Sequence, residues 1–422
     1  MSDAASPDSS DIADLGLAAV GERRIEWSEQ RMPVLGGMRR RFREEKPLAG
    51  LRLGACLHVT SEVANLLRVF KQGGASVALC ASSEGSTQDE VAAALVAEHD
   101  ICVFGRFGED AEDYQRGLDA VLDTGPNFLL DDGADLISRI HTEREDLLTA
   151  VRGGTEQTTT GVLRLRSMAA AGALRFPVVA VNDSDTKKLF NNRYGTGQGT
   201  LDGIVRATNV LIAGQTVVVV GYGLVGRGIA SRAAGLGANV IVVEIDAVRA
   251  LEAQLDGCRV LSMAKAAAVG QIFITATGSK HVINKRHFNA MQDGSMICNC
   301  GHFDVELDLR GLRELSREPR AARPLVDEFK LLDGRRLYLL GDGRLINFTA
   351  GEGHPAAVMD LSFSNQVLAI ELLARGGLEP GVHTLPEDLD HAVAKLKLES
   401  LGIEIDEQTE DQREYLASWR DA

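Results

Sequence analysis

The chain has 422 residues, and 45% hydrophobic with 25% charged residues is ordinary for a globular protein, while the length exceeds one ordinary core, so two domains are expected. A formal net charge of −15 argues against a nucleic-acid partner, which would call for a compensating basic face. No run approaches the ~20 uninterrupted apolar residues of a membrane span, and the acidic opening, residues 1–11, reads as a disordered tail without a secretory signal, so no membrane partner and a cytoplasmic location are expected.

From residue 51 onward, short apolar runs alternate with helical patterns. Leu53 to Leu57, Ser76 to Cys80, Ile101 to Phe104 and Phe128 to Asp131 read as strands, and Val63 to Phe70, Gln88 to Ala97 and Ala111 to Leu122 as helices between them. That alternation predicts a doubly wound α/β unit. A polar segment, Asn182 to Thr200, separates it from a second series that starts at Thr216. The strands of this series are predicted at Asn239 to Val243, Arg259 to Leu261, Ile272 to Thr275 and Ser295 to Asn299. After His354-Pro355 a helix, Val358 to Arg375, is expected to return to the first unit, and Leu389 to Leu401 has helical spacing. The fold class is therefore α/β, with two doubly wound Rossmann-like domains joined by a hinge. The boundaries read as 12–185 plus 355–390 for the substrate domain and 186–354 for the cofactor domain, with 391–422 as an extension. Six cysteines are scattered through strand-like runs and read as reduced core thiols. Cys298 and Cys300 have no second pair nearby, so no metal is expected.

The second series opens on a valine run followed by Gly221-Tyr222-Gly223-Leu224-Val225-Gly226, and Glu244 ends the next apolar run. Gly221 and Gly223 let backbone approach a pyrophosphate, Gly226 lets helix pack close on strand, and an acid about 20 residues on suits a ribose diol while repelling a 2′-phosphate. The expected cofactor is NAD.

Polar residues gather at the predicted strand ends: His58 to Glu62, Asp131 to Asp135, Gln157 to Thr160, Asn182 to Asn192, Gly301 to Asp304 and Gly353 to Pro355. Taken singly, each has a plainer reading. A lone histidine such as His58 is more often a satisfied surface or cap residue, Asp131 and Asp135 suit helix caps, and three threonines suit a strand edge or turn. Taken in this order, over about residues 12–410, they resemble the S-adenosylhomocysteine hydrolase family, in the short form typical of its archaeal and thermophile branch. The resemblance implies a substrate domain and an NAD domain across a hinge, and a homo-oligomer, a tetramer or dimer. It also implies transient NAD oxidation of the 3′-hydroxyl of an adenine nucleoside, followed by elimination and addition at the 5′-carbon and return of the hydride. It implies Lys187 as the base for the hydroxyl proton, and His58 and Asp132 for the 4′-proton and leaving group. His302 and His354 line the ribose and the 5′-side, Thr60, Glu62 and Met359 complete the nucleoside site, and Glu62 pairs with the adenine amine. Thr158, Thr159, Thr160, Asn192 and Asn347 join the three glycines and Glu244 in holding NAD.

Two positions depart from the family pattern. Gln157 and Asn191 stand where the family carries carboxylates that hold the ribose hydroxyls, so the ribose site is divergent. The amides keep size and hydrogen bonding but remove two negative charges, which should lower the pKa of Lys187 and alter which sugars fit. The chain also ends soon after Tyr415, where longer relatives carry a tail that reaches the neighbouring subunit's NAD. The expected function is an adenosylhomocysteinase-like NAD enzyme acting on S-adenosylhomocysteine or a related adenine nucleoside. The alternatives are a dehydratase that forms a 4′,5′-unsaturated nucleoside in a nucleoside-antibiotic pathway, and a silent subunit that binds NAD or adenosine.

Overall fold

The computed structural model of the protein describes residues 9–83, 85–301 and 304–419. In the first half the strands are β1 (Arg52–Cys56), β2 (Ser76–Cys80), β3 (Cys102–Phe104), β4 (Phe128–Asp131), β5 (Gly153–Glu156) and β6 (Pro177–Ala180). The second half adds β7 (Thr216–Val220), β8 (Asn239–Val243), β9 (Arg259–Val260), β10 (Ile272–Thr275), β11 (Ser295–Asn299), β12 (Arg320–Arg323), β13 (Val326–Lys330) and β14 (Arg336–Leu340), and β15 (Gly381–His383) follows.

These strands form two sheets. The first has the order β15-β6-β5-β4-β1-β2-β3 and is parallel throughout. The second has the order β12-β13-β14-β11-β10-β7-β8-β9, parallel except for the β12-β13-β14 edge. Helices cover both sheets, as buried parallel strands require, since each strand must bury both faces. The expected α/β class with two doubly wound sheets is the observed one.

The strand order of the first sheet reverses between β1 and β4, and that of the parallel part of the second reverses between β7 and β10. Loops leaving neighbouring strands in opposite directions open a crevice at such a switch point. His58 follows β1 and Asp132 follows β4, while the glycine turn follows β7.

The helix Ala356–Arg375 returns to the first sheet, where Phe363, Val367 and Ile370 join its core. It is long and apolar enough to cross a membrane, but two thirds of its apolar window is buried inside the protein, including Asp360, Asn365 and Gln366. The helix Glu387–Ser400, expected to lie largely in an extension, packs on this first unit through buried Asp390 and Val393. Of the expected N-terminal tail, residues 1–8 lie outside the described residues. Asp11 sits beside the first sheet, donating its N–H to the carbonyl of Val103 at 3.0 Å.

The polar segment Asn182 to Thr200 is continuous helix from Asp185 onward: a short α-turn, Asp185–Lys187, then a π-helix, Lys188–Gly195, then the α-helix Thr196–Thr208. π-turns are rare and concentrate at functional sites. Here the wide turn returns Asn192 to Lys187, five residues earlier.

Candidate active site

The glycine turn is built for close backbone approach. Gly221 has a φ of 100°, and a Cβ there would lie 2.6 Å from the carbonyl oxygen of Ala276. A Cβ on Gly226 would lie 1.9 Å from the Gly221 oxygen, so the helix Leu224–Gly235 can meet β7 only with glycine at this point. Gly223, by contrast, faces open space, with nothing within 4 Å of where its Cβ would be. Glu244, just past β8, accepts N–H bonds from Tyr222, Ile245 and Asp246. Burial works against its charge, but these backbone donors outweigh it and hold the carboxyl below its ordinary value. Asn347 is fully buried, and neither its amide nitrogen nor its oxygen has a partner among the described residues. A buried amide with both ends unpaired is costly and points to a ligand that satisfies it. The open cradle, the carboxylate past β8 and the unpaired amide together fit a dinucleotide.

Lys187 is buried, and its Nζ donates to Asn182 Oδ1 at 3.0 Å and Asn192 Oδ1 at 2.9 Å. Burial lowers its pKa to about 8 against the pull of Asp132, Glu156 and Asp183. The turn that carries it is held from the helix Glu387–Ser400. Asp390 accepts the N–H of Asp185 at 2.6 Å and of Thr186 at 3.3 Å, and also bonds the Thr186 hydroxyl and the Asn365 amide.

His58 lies between Ser82 and Asp132: its Nδ1 is 3.1 Å from Ser82 Oγ, and its Nε2 is 3.8 Å from Asp132 Oδ2. Its ring stacks on Phe348 at 3.7 Å, and Phe348 meets His354 edge-on. His354 Nε2 is 2.9 Å from Thr196 Oγ1. Burial lowers both imidazoles to about 3, with Lys187 and His58 adding repulsion at His354, so both are neutral near pH 7. His58, Asp132, Lys187 and His354 thus lie close together. His302 lies outside the described residues.

Several expected site residues also carry local structure. Thr60 caps the helix Ser61–Gln72 through the N–H of Val63, and Thr158 caps the helix Thr159–Ala170 through Gly161 while donating to Glu156. Thr159 reaches Asn182, the hub that also holds Lys187 and Asn192. The Thr158 to Thr160 run is therefore a helix start, and the strand edge considered for it is instead β5, ending at Glu156. Asp131 does serve the next helix, accepting the N–H of Ile137 at 2.9 Å. Buried Glu62 accepts from the Ser61 hydroxyl, and desolvation raises its pKa.

Both divergent amides face the returning helix. Gln157 donates to Gln366 Oε1, and Gln366 donates to Thr155 Oγ1 at 2.9 Å. Asn191 donates to Ser362 Oγ at 3.2 Å and to Met359 Sδ at 3.0 Å. Sequence reasoning missed Ser82, Phe348, Asp390, Ser362 and Gln366. The last two lie inside an apolar helical pattern, where i, i+4 polar residues on one face were the available signal.

A dinucleotide cradle in one sheet, with a buried low-pKa lysine and two neutral histidines at the other sheet's switch point, defines a two-domain nicotinamide-dependent enzyme. The family model for the S-adenosyl-L-homocysteine hydrolase NAD-binding domain matches residues 192–353, and the model for S-adenosyl-L-homocysteine hydrolase matches residues 9–148. The chain belongs to the S-adenosyl-L-homocysteine hydrolase family, and its cofactor is NAD. It is 55% identical over 411 residues to an adenosylhomocysteinase of Aquifex aeolicus and 54% identical over 411 residues to one of Gloeobacter violaceus, covering 97% of this chain and 98% and 96% of theirs. It is also 53% identical over 413 residues to an S-inosyl-L-homocysteine hydrolase of Methanopyrus kandleri, covering 97% of both chains.

Proposed function

We propose that this enzyme hydrolyses S-adenosylhomocysteine or a close relative with a modified sugar. The observation that carries the reading is Lys187: an amine held at about 8 by burial is poised to take a hydroxyl proton near neutral pH. Bound NAD supplies the hydride acceptor at the sugar and gives the hydride back. In this reading Asn182 and Asn192 aim the lysine lone pair. Neutral His58 beside Asp132 takes the proton next to the oxidised carbon and returns it to the leaving group, and His354 and Phe348 keep water from the sugar. Gly221, Gly223, Gly226, Glu244, Asn347 and the Thr158 to Thr160 run hold the cofactor, from residues 186–354 and, through the threonines, from the domain formed by residues 12–185 and 355–390.

Near-equal identity to adenosyl and inosyl relatives leaves the base to the pocket's chemistry. Glu62 supports adenine, because an ionised carboxylate accepts from the exocyclic amine and cannot donate to an exocyclic oxygen. Since burial raises its pKa, a protonated fraction that tolerates hypoxanthine grows as pH falls.

A second reading rests on Gln157 and Asn191, which remove two charges from the sugar pocket: a dehydratase that expels water from a free nucleoside. Purified enzyme incubated with S-adenosylhomocysteine and a thiol reagent is expected to release homocysteine, with S-inosylhomocysteine a poorer substrate that gains as pH falls. Release of no thiol, with loss of one water mass from adenosine, selects the dehydratase. NAD and adenosine binding without turnover rejects both.

A further inference from the structure

The two amides do not hang in the pocket with interchangeable ends. The residues that take their NH₂ groups, Met359, Ser362 and Gln366, follow one another at helical spacings of three and four, so they share one face of the helix Ala356–Arg375. At Asn191 the choice of end is forced: a thioether sulfur accepts a hydrogen bond and cannot donate one, so an amide oxygen turned to Met359 would meet only lone pairs. At Gln157 it is set one step away. Gln366 spends its own NH₂ on the Thr155 hydroxyl, which leaves its carbonyl facing Gln157 and calls for an NH₂ there. All five side chains other than Met359 are buried, so a wrong end would leave a polar atom unpaired without water to relieve it.

We propose that this helix face fixes the polarity of the sugar pocket: Met359, Ser362 and Gln366 hold the donor ends of Asn191 and Gln157, so both amides offer the sugar uncharged carbonyl acceptors. The pocket then selects a nucleoside that brings hydroxyl donors to both amides and rejects one carrying acceptor-only groups there. The proposal rests on the nucleoside reading above, in which Gln157 and Asn191 face the sugar. Gln366 is a positioning residue, acting through Gln157.

The test is calorimetric binding to the NAD-loaded enzyme, with adenosine and its 2′-fluoro and 3′-fluoro deoxy analogues as probes. Losing one donor is expected to weaken binding about 10-fold at one or both positions, the usual scale for a buried hydrogen-bonding group left unpaired. Gln366→Leu, which offers no acceptor, should shrink the preference over the analogue that Gln157 reads to within about 3-fold, whereas Gln366→Glu, which still accepts the Gln157 NH₂, should keep it. A purely structural role for Gln366 would instead weaken all three ligands alike. Adenosine bound with both fluoro analogues within about 3-fold of it overturns the polarity proposal, as does an unchanged preference in Gln366→Leu. Failure of the wild-type, NAD-loaded protein to bind adenosine at all overturns the nucleoside reading itself.

Discussion

The two switch points of this protein are built from different materials. Around Gly221 to Gly226 the site is made of backbone: a φ of 100° at Gly221, a contact at Gly226 that admits no Cβ, and open space at Gly223. Around β1 and β4 it is made of side chains from distant segments, where Lys187 leans on Asn182 and Asn192, and Gln157 and Asn191 lean on the helix Ala356–Arg375. A backbone site is stereotyped because glycine alone meets its steric demand, so one substitution abolishes it. A side-chain site is tunable, because an amide can replace a carboxylate at equal volume and change charge without changing shape. Divergence is found on the tunable side.

The sharpest way to break this comparison is at Lys187. Lys187→Met should lower turnover by ~10²–10⁴-fold, the usual range for a lost general base, while leaving the amount of co-purified NAD unchanged. In the parent enzyme the rate should rise with pH through a limb near 8, because the base is the neutral amine and its pKa is lowered to about that value. A flat pH profile from 6 to 9 with chemistry limiting would remove Lys187 from that role. Next comes Gly226→Ala, whose Cβ would lie 1.9 Å from the Gly221 oxygen. It should destabilise the protein by ~1–3 kcal/mol and strip NAD, seen by thermal unfolding and cofactor assay, without altering the fluorescence or contacts of the first sheet. Full NAD occupancy with an unchanged melting temperature would contradict a steric requirement for glycine. The smallest effect is expected at Asp390→Asn, which weakens a charged helix cap on the Lys187 turn. A loss of about 1 kcal/mol in stability should accompany a fall in kcat with KM steady; a change in KM alone would place Asp390 outside the positioning of Lys187.

Much of the site was legible because its logic is local. The valine run, the three glycines and Glu244 mark strand, turn and ribose acid within one continuous stretch. His58 and Asp132 sit directly after strands whose apolar runs are plain, and β2, β4, β8, β10 and β11 fall where the periodicity places them. Other elements gave no such signal. β5 reads Gly-Gly-Thr-Glu, with too little apolar surface to announce a strand, and it is buried only because β4 and β6 flank it. The π-helix after Lys187 leaves no periodicity distinct from a polar loop, and Asp390 looks like one more charge on an exposed helix until its fold-mates are placed.

By itself the sequence determined the α/β class, the NAD cradle and the identities of the two divergent amides, because each follows from residue type and short-range spacing. Only the tertiary structure decided which end of each amide is held, since Gln366 lies 209 residues from Gln157 and Ser362 lies 171 from Asn191. A hydrogen bond's direction depends on what else its partner must satisfy, and for Gln157 that chain runs through Gln366 to Thr155, across two segments that meet only in the folded protein.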